Sequence, residues 1–231
     1  MNATSASPAN ALAPRLVWDL PQRLVHWLMV LSFAGAYLTA ESETWRLVHV
    51  SLGYTFGGLL VFRLLWGLIG SRYARFANFV KGPQAVLRYL RSLLSGSPEH
   101  HVGHNPAGAL AIVAMLGLGL GLVLSGWANY NELGGDWLEE AHELLASGLI
   151  AVIAVHVLGV IVSSRLHREN LPKSMLTGRK NAAPEQGIRS AWASVAALIL
   201  VAVLGFWSWQ WTQAGSLLPT ASQTQSHDDD D

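Results

Sequence analysis

Along this chain, apolar stretches of about twenty residues alternate with short polar connections, and the alternation occurs five times. The stretches fall at about 24–40, 46–70, 106–127, 142–164 and 189–213. A helix rising ~1.5 Å per residue needs ~20 apolar residues to cross ~30 Å of hydrocarbon, so each is long enough, or nearly so, to span a bilayer. The first is short at its apolar core, and the fourth is bounded by histidine rather than by a loop. The third opens at Asn105-Pro106, an N-cap residue followed by proline at the first helical position. Between the second and third, residues 82–96 carry apolar side chains at helical spacing with Arg88 and Arg91 among them, which predicts a short helix along the membrane surface. Residues 97–105 read as a loop. The pattern as a whole predicts an all-α membrane protein.

Charge then sorts by side. Fourteen of the fifteen basic residues lie on the N-terminal side of the predicted spans: Arg15, Arg23, six from Arg63 to Arg91, and six from Arg165 to Arg189. Arg46 alone is opposite. Eleven of the fifteen acids fall on that opposite face, from Glu41 and Glu43 through Glu132 to Glu143 and on to the terminal run Asp228–Asp231. The positive-inside rule makes the basic side cytoplasmic, giving an N-in, C-out topology. Trp45, Trp127, Trp137, Trp207, Trp209 and Trp211 gather at the outer boundary, as an aromatic belt does. Composition agrees, with 51% hydrophobic and only 13% charged residues. Cysteine is absent, which excludes disulfides, Fe–S clusters, thiolate metal sites and covalent c-type haem attachment. The first fourteen residues contain neither a basic group nor an apolar core and do not read as a cleavable signal.

Four of the nine histidines sit at membrane depth, where ionisable groups are rare and usually functional. His26 is near the inner end of the first span and His49 near the outer end of the second. The fourth span enters from outside, so His142 is near the outer surface and His156, fourteen residues on, is ~21 Å deeper. Fourteen steps of ~100° leave the two within ~40° of one face. Depth therefore pairs His49 with His142 and His26 with His156. Two His–His pairs with no carboxylate or cysteine beside them suit axial ligation of two b-type haems, with no open position for oxygen. Structural zinc asks for four ligands at one centre, and HELLA lacks the second histidine of a zincin motif. The competing reading of any one such histidine is a hydrogen-bond partner between helices.

Other residues carry two readings each. Gly53 and Gly57 follow His49 by one and two turns and suit either the approach of a flat macrocycle or G-x-x-x-G helix packing, as do Gly148 and Gly159 on the fourth span. Arg63 and Arg23 suit a charge-assisted bond to a haem propionate, or snorkelling to lipid headgroups. The loop EHHVGH (99–104) suggests either a metal site or a solvated cluster that closes the loop.

The strings VWDLPQRLVHW (17–27), HVSLGYTFGGLLVFRLLWGLIGSRYARF (49–76), GHNPAGALAIV (103–113), HELLASGLIAVIAVHVLGVIVSSRLHREN (142–170) and MLTGRK (175–180) resemble the bacterial cytochrome b561 family. That family includes the b-type cytochrome subunits of nickel–iron hydrogenases. The resemblance implies a four-helix transmembrane bundle over residues 16–181 holding two non-covalent haem b groups. Its axial histidines carry over onto His26, His49, His142 and His156. A flexible cytoplasmic N-terminus (1–15), a fifth C-terminal span (189–213) and an acidic periplasmic tail (214–231) would lie outside that core. The implied role is quinone-linked electron transfer in the bacterial inner membrane, with ubiquinone a candidate substrate.

Three partners follow from the family: a periplasmic c-type cytochrome, a hydrogenase or other oxidoreductase for which this chain is the membrane anchor, or superoxide, oxidised as quinone is reduced. Surface charge steers association, changing on-rates by ~10–1000-fold. An acidic outer face attracts a cationic c-type cytochrome and repels superoxide, although acidic loops also serve solubility alone. The expected partners are membrane lipid, quinone and such a redox protein, and not nucleic acid. A haem-free scaffold or transporter would need midplane polar groups, discontinuous helices or inverted repeats, and the sequence offers none convincingly. Trp18, Asp19 and Arg23 mark the only guess at a quinone site.

Overall fold

Helix starts are set by short polar side chains. Asp19 caps α1 (Leu20–Leu38), its Oδ1 accepting from the Gln22 amide at 2.7 Å. Asn105 does the same for Pro106–Tyr130, accepting from the Gly108 amide at 2.7 Å, as the Asn-Pro pair predicts. The computed structural model describes residues 12–95 and 99–213. In chain order these form β1 (Ala13–Leu16), α1, α2 (Arg46–Ile69), a single turn α3 (Phe76–Phe79), α4 (Pro83–Leu94), α5 (Pro106–Tyr130), α6 (Trp137–Leu166), α7 (Leu171–Thr177), β2 (Arg179–Ala182) and α8 (Ala193–Gln213).

Four segments are long and apolar enough to cross a membrane: Glu43–Ile69, Pro106–Tyr130, Trp137–Leu166 and Ala193–Gln213. The C-terminal span expected at 189–213 is among them, starting at Ala193 because residues up to Trp192 are irregular. The first expected span forms helix α1 but is not among the four, since its opening turn is occupied by Gln22 and Arg23. α6 begins five residues before His142, so that histidine lies inside a helix rather than at its edge. Exposed Leu144, Val155, Leu158 and Ile161 on α6, and Leu198, Val201 and Leu204 on α8, make apolar faces too large for water and suited to lipid. α4 lies where the amphipathic surface helix is expected.

The chain divides into two compact units. One comprises Leu24–Arg63, Leu116–Leu149 and the chain from Ala193. Its core is Val25, Leu59 and Ile199, with Leu28, Met29 and Phe62 packed around them. Here α8 lies against α2, with Trp207 Nε1 donating to Thr55 Oγ1 at 3.0 Å and Gln210 Nε2 to Ser51 Oγ at 3.2 Å. A Cβ on Gly57 would come 2.9 Å from Val123 Cγ1, so Gly57 serves the close packing of α2 on α5.

The other unit holds the N-terminal residues to Arg23, Leu64–Met115 and Ile150–Trp192. It contains the one departure from an all-α fold among the described residues, a two-stranded antiparallel sheet pairing Ala13 with Ala182 and Leu16 with Arg179. Three residues of the terminus expected to be flexible thus belong to a strand. Buried Asp19 also accepts from Trp66 Nε1 at 3.1 Å, and Trp18 Nε1 donates to Ser174 Oγ at 3.3 Å. The expected flexible residues 1–11 and the acidic tail 214–231 lie outside the described residues.

Candidate haem site

His49 and His142 face each other. Their ring centroids are 6.3 Å apart with planes inclined at 70°. The hairpin of α5 and α6 and the turn between α1 and α2 explain why. His49 lies three residues into α2, and its Nδ1 is 2.8 Å from the carbonyl oxygen of Ala36, in the last turn of α1. That carbonyl also accepts from the Thr39 amide at 3.2 Å and from Thr39 Oγ1 at 3.1 Å. His142 lies five residues into α6, and its Nδ1 is 3.1 Å from the carbonyl oxygen of Leu122 and 3.1 Å from Ser125 Oγ on α5.

These contacts decide the tautomers. A carbonyl oxygen only accepts, so each Nδ1 carries the proton and donates it, which leaves the lone pair of each ring on Nε2. A neutral imidazole with Nδ1–H tied to a carbonyl is the usual state of a histidine that ligates a metal through Nε2. A bond of about 2 Å from each ring nitrogen to one metal atom, with the ring radius added, puts the two ring centres about 6 Å apart. The observed separation meets this. On the same face of α2, a Cβ at Gly53 would meet nothing within 4 Å, leaving open room one turn from His49. The donor set and the space beside it fit a bis-histidine haem. A histidine serving only to cap a helix would explain His49 but not a second imidazole, likewise tied through Nδ1 to a carbonyl, opposite it.

The remaining predicted residues lie elsewhere. His26 is half-buried on α1 with its ring edge-on to Trp27 at 5.0 Å, and His156 is half-buried on α6. They fall in different units, and their pairing rests on depth along the helices and on the family resemblance. Arg63 is buried at 8% exposure, which a side chain snorkelling to headgroups would not be. Arg23 donates through Nε to the carbonyl of Asp19 and through Nη1 to that of Leu176.

The loop histidines close a polar cluster in the unit containing the sheet. Lys180, inward-facing on β2, lies 2.8 Å from Glu169, and His100 Nε2 lies 2.9 Å from the same carboxylate. Glu99 meets Arg88 at 3.4 Å and His101 at 3.6 Å. His104 packs between Trp18 and Phe79, with centroids 4.7 and 4.6 Å away. Among the described residues no group of three or more His, Cys, Asp or Glu is arranged to hold a metal ion. Burial lowers His101 and His167 below the ordinary histidine value. For Glu169 burial acts upward, but hydrogen bonds from Lys180 and His100 outweigh it and hold the carboxyl below its usual range.

Sequence reasoning misses Ser125, the Ala36 carbonyl, and the Lys180–Glu169 pair. One signal was available. Ser125 lies five residues before the end of α5 and His142 five after the start of α6, so a hairpin brings them to equal depth.

The profile for prokaryotic cytochrome b561 matches residues 17–178. The probable Ni/Fe-hydrogenase 1 B-type cytochrome subunit of Escherichia coli is 27% identical over 142 residues, covering 50% of this chain and 60% of that protein. The probable Ni/Fe-hydrogenase B-type cytochrome subunits of Cupriavidus necator and Azotobacter vinelandii are 24% and 25% identical, covering 75% and 70% of this chain and 90% and 86% of theirs. The chain thus spans about three fifths of the Escherichia coli relative it matches. No solved structure matches it. With a family match over most of its length and four helices fit to cross a membrane, the chain belongs to the prokaryotic cytochrome b561 family and is a multi-pass membrane b-type cytochrome.

Proposed function

We propose that this protein is a dihaem cytochrome b that carries electrons between the quinone pool and a periplasmic redox partner such as a c-type cytochrome. The observation that carries this reading is the facing pair His49 and His142, each with Nδ1–H bound to a carbonyl and Nε2 available to a metal. In the proposed arrangement His26 and His156 hold a second haem on the inner side. The five-span topology, with four helices around the haems and the N-terminus cytoplasmic, belongs to the same reading and rests on charge and depth. Haem bound by two histidines supplies one-electron redox chemistry without an open coordination position.

The chain's own residues supply position and environment. Ala36, Leu122 and Ser125 orient the two imidazoles, and the apolar helices around them exclude water. Arg63, buried on α2, and Arg23 on α1 are the proposed partners of the propionates. In the unit holding His49 and His142, Glu41, Glu43, Glu132 and Asp136 on the connections and Glu139, Glu140 and Glu143 at the start of α6 are all exposed, against Arg46 as the single exposed base among the described residues there. This field favours a cationic protein over superoxide.

A second reading is that of a membrane subunit delivering electrons from a hydrogenase to quinone. The relatives from three genera, each a probable Ni/Fe-hydrogenase B-type cytochrome subunit, favour it. Nickel and Fe–S ligands would then belong to a separate chain, since this one has no cysteine.

The test is haem content per polypeptide with reduced-minus-oxidised spectra for the wild type, His142→Ala and His156→Ala. Two b-type haems in the wild type, with a different one lost or converted to high spin in each variant, are expected. A single haem, or two that survive both substitutions, would overturn the paired-ligand reading.

A further inference from the structure

His49 and His142 are not held alike. His49 Nδ1 has the Ala36 carbonyl, whereas His142 Nδ1 closes a triangle with two oxygens of α5. Ser125 Oγ lies 3.1 Å from the Leu122 carbonyl oxygen, three residues earlier on its own helix, so each side of the triangle measures 3.1 Å. Only one proton assignment satisfies all three atoms. The hydroxyl donates to the Leu122 carbonyl, and both oxygens then offer lone pairs to Nδ1–H. Ser125 is 8% exposed, so its hydroxyl has little access to a competing water. Beside it, a Cβ on Gly126 would come 2.7 Å from His142 Cε1 and 3.1 Å from Nδ1. A ring fixed by two hydrogen bonds cannot give way as a flexible side-chain tip can. Any residue larger than glycine would displace the imidazole from this position.

We infer that Ser125 and Gly126 are positioning residues for His142: the serine locks its tautomer and strengthens it as a donor, and the glycine gives its ring the room to stand where it does. This rests on the proposed role of His142 as an axial ligand. Donation from Nδ1–H to an acceptor raises the basicity of Nε2, and a more basic ligand favours the oxidised metal. Ser125 is thus a potential-setting group for one haem only, because the hydroxyl contacts His142 and His142 serves only the haem it shares with His49.

The experiment is a spectroelectrochemical titration of the purified holoprotein in detergent, with low-temperature electron paramagnetic resonance of the oxidised form. His142→Ala first identifies the redox transition that depends on His142. Ser125→Ala, which leaves the Leu122 carbonyl in place, should raise the midpoint of that transition and leave the other unchanged. The expected size is a roughly threefold gain in the reduced-to-oxidised ratio at fixed ambient potential, about 30 mV for a one-electron couple. Ser125→Thr keeps a hydroxyl able to reach the carbonyl a turn back, and should restore the wild-type midpoint. Gly126→Ala should convert the same haem to high spin or lose it. Gly117→Ala on the same helix, where a Cβ would meet nothing within 4 Å, should match wild type. If His142→Ala leaves both transitions intact, the ligand reading fails and this inference falls with it. Should His142→Ala remove one transition while Ser125→Ala leaves its midpoint unmoved, or moves both midpoints equally, the role of Ser125 is overturned with the ligand reading intact. Two unaltered low-spin haems in Gly126→Ala would likewise remove the role of the glycine.

Discussion

Lys180 shows how a single residue can hold a loop in register. It alternates inward on β2 beside Ala182, with only 4% of its side chain exposed, and it pairs with Glu169 at 2.8 Å while donating to the His101 carbonyl at 3.3 Å. Removing one partner of such a pair strands a buried charge, so Glu169→Gln should destabilise the protein by about 3 kcal/mol, whereas replacing both partners by apolar residues should cost much less. Thermal unfolding followed by circular dichroism checks both. The same cluster sets an acid limit. Burial lowers His101 and His167, and Glu169 is lowered by Lys180 and His100 against its own burial. All three groups have folded values below their unfolded ones, so their contribution is present above the unfolded values and lost as pH falls through the folded ones. The thermal midpoint should drop as pH falls below about 6.5, where histidine begins to charge, and again through the carboxylate range. A midpoint that is flat or rises on acidification would contradict this. Residues of this kind are hard to see in a sequence: Lys180 lies in a basic run and its burial depends on a strand pairing with Ala13–Leu16 that no local pattern announces. His49 and His142 are readable because a histidine among leucines contradicts its surroundings. Ser125 and Gly126 are not, because small residues are common in membrane helices and only the partner ring gives these two a meaning.

At the scale of helices, hydrophobic length was the strongest signal, and it located α2, α5, α6 and α8 to within a few residues. Helix α1 was located as well, but its polar first turn keeps it out of the set that composition alone would send through a membrane. Which faces the helices bury was less readable, because an apolar surface in lipid carries little periodic contrast. The packing of α8 illustrates this. Its contacts fall on Ser51, Thr55 and Leu59, a stripe at four-residue spacing on α2. Ser51 is two residues from His49, or ~200° around the helix, so α8 covers the face turned away from the histidine. This predicts a separation of effects. Trp207→Phe combined with Gln210→Leu removes two interhelical hydrogen bonds, each worth about 0.6 kcal/mol in a membrane setting, and should lower stability by about 1 kcal/mol. Haem content and spectrum should stay as in wild type. Loss of haem in this variant would mean that α8 shapes the site directly.

The whole molecule is sorted by charge. Thirteen of its fifteen basic residues lie in the unit with the sheet, and the seven exposed acids of the helix connections and the start of α6 lie in the unit with His49 and His142. Under the proposed N-in, C-out topology, the positive-inside rule assigns the basic residues to the cytoplasmic side and the acidic ones to the periplasmic side. A field of that sign near one haem has a kinetic signature. Electron transfer from the dithionite-reduced protein to a cationic c-type cytochrome should slow by about tenfold or more as ionic strength rises from about 10 to about 150 mM, because the Debye length shrinks from about 30 to about 8 Å. Glu139→Lys with Glu140→Lys, both on exposed positions in the first turn of α6, should reduce the low-salt rate and flatten the salt dependence. The two midpoint potentials should change little, since these side chains are solvated. Stopped-flow mixing under anaerobic conditions reads all three. A rate indifferent to salt and to these substitutions would remove the c-type cytochrome from the proposal. Electron delivery from a hydrogenase would then be the better-supported role for the same site.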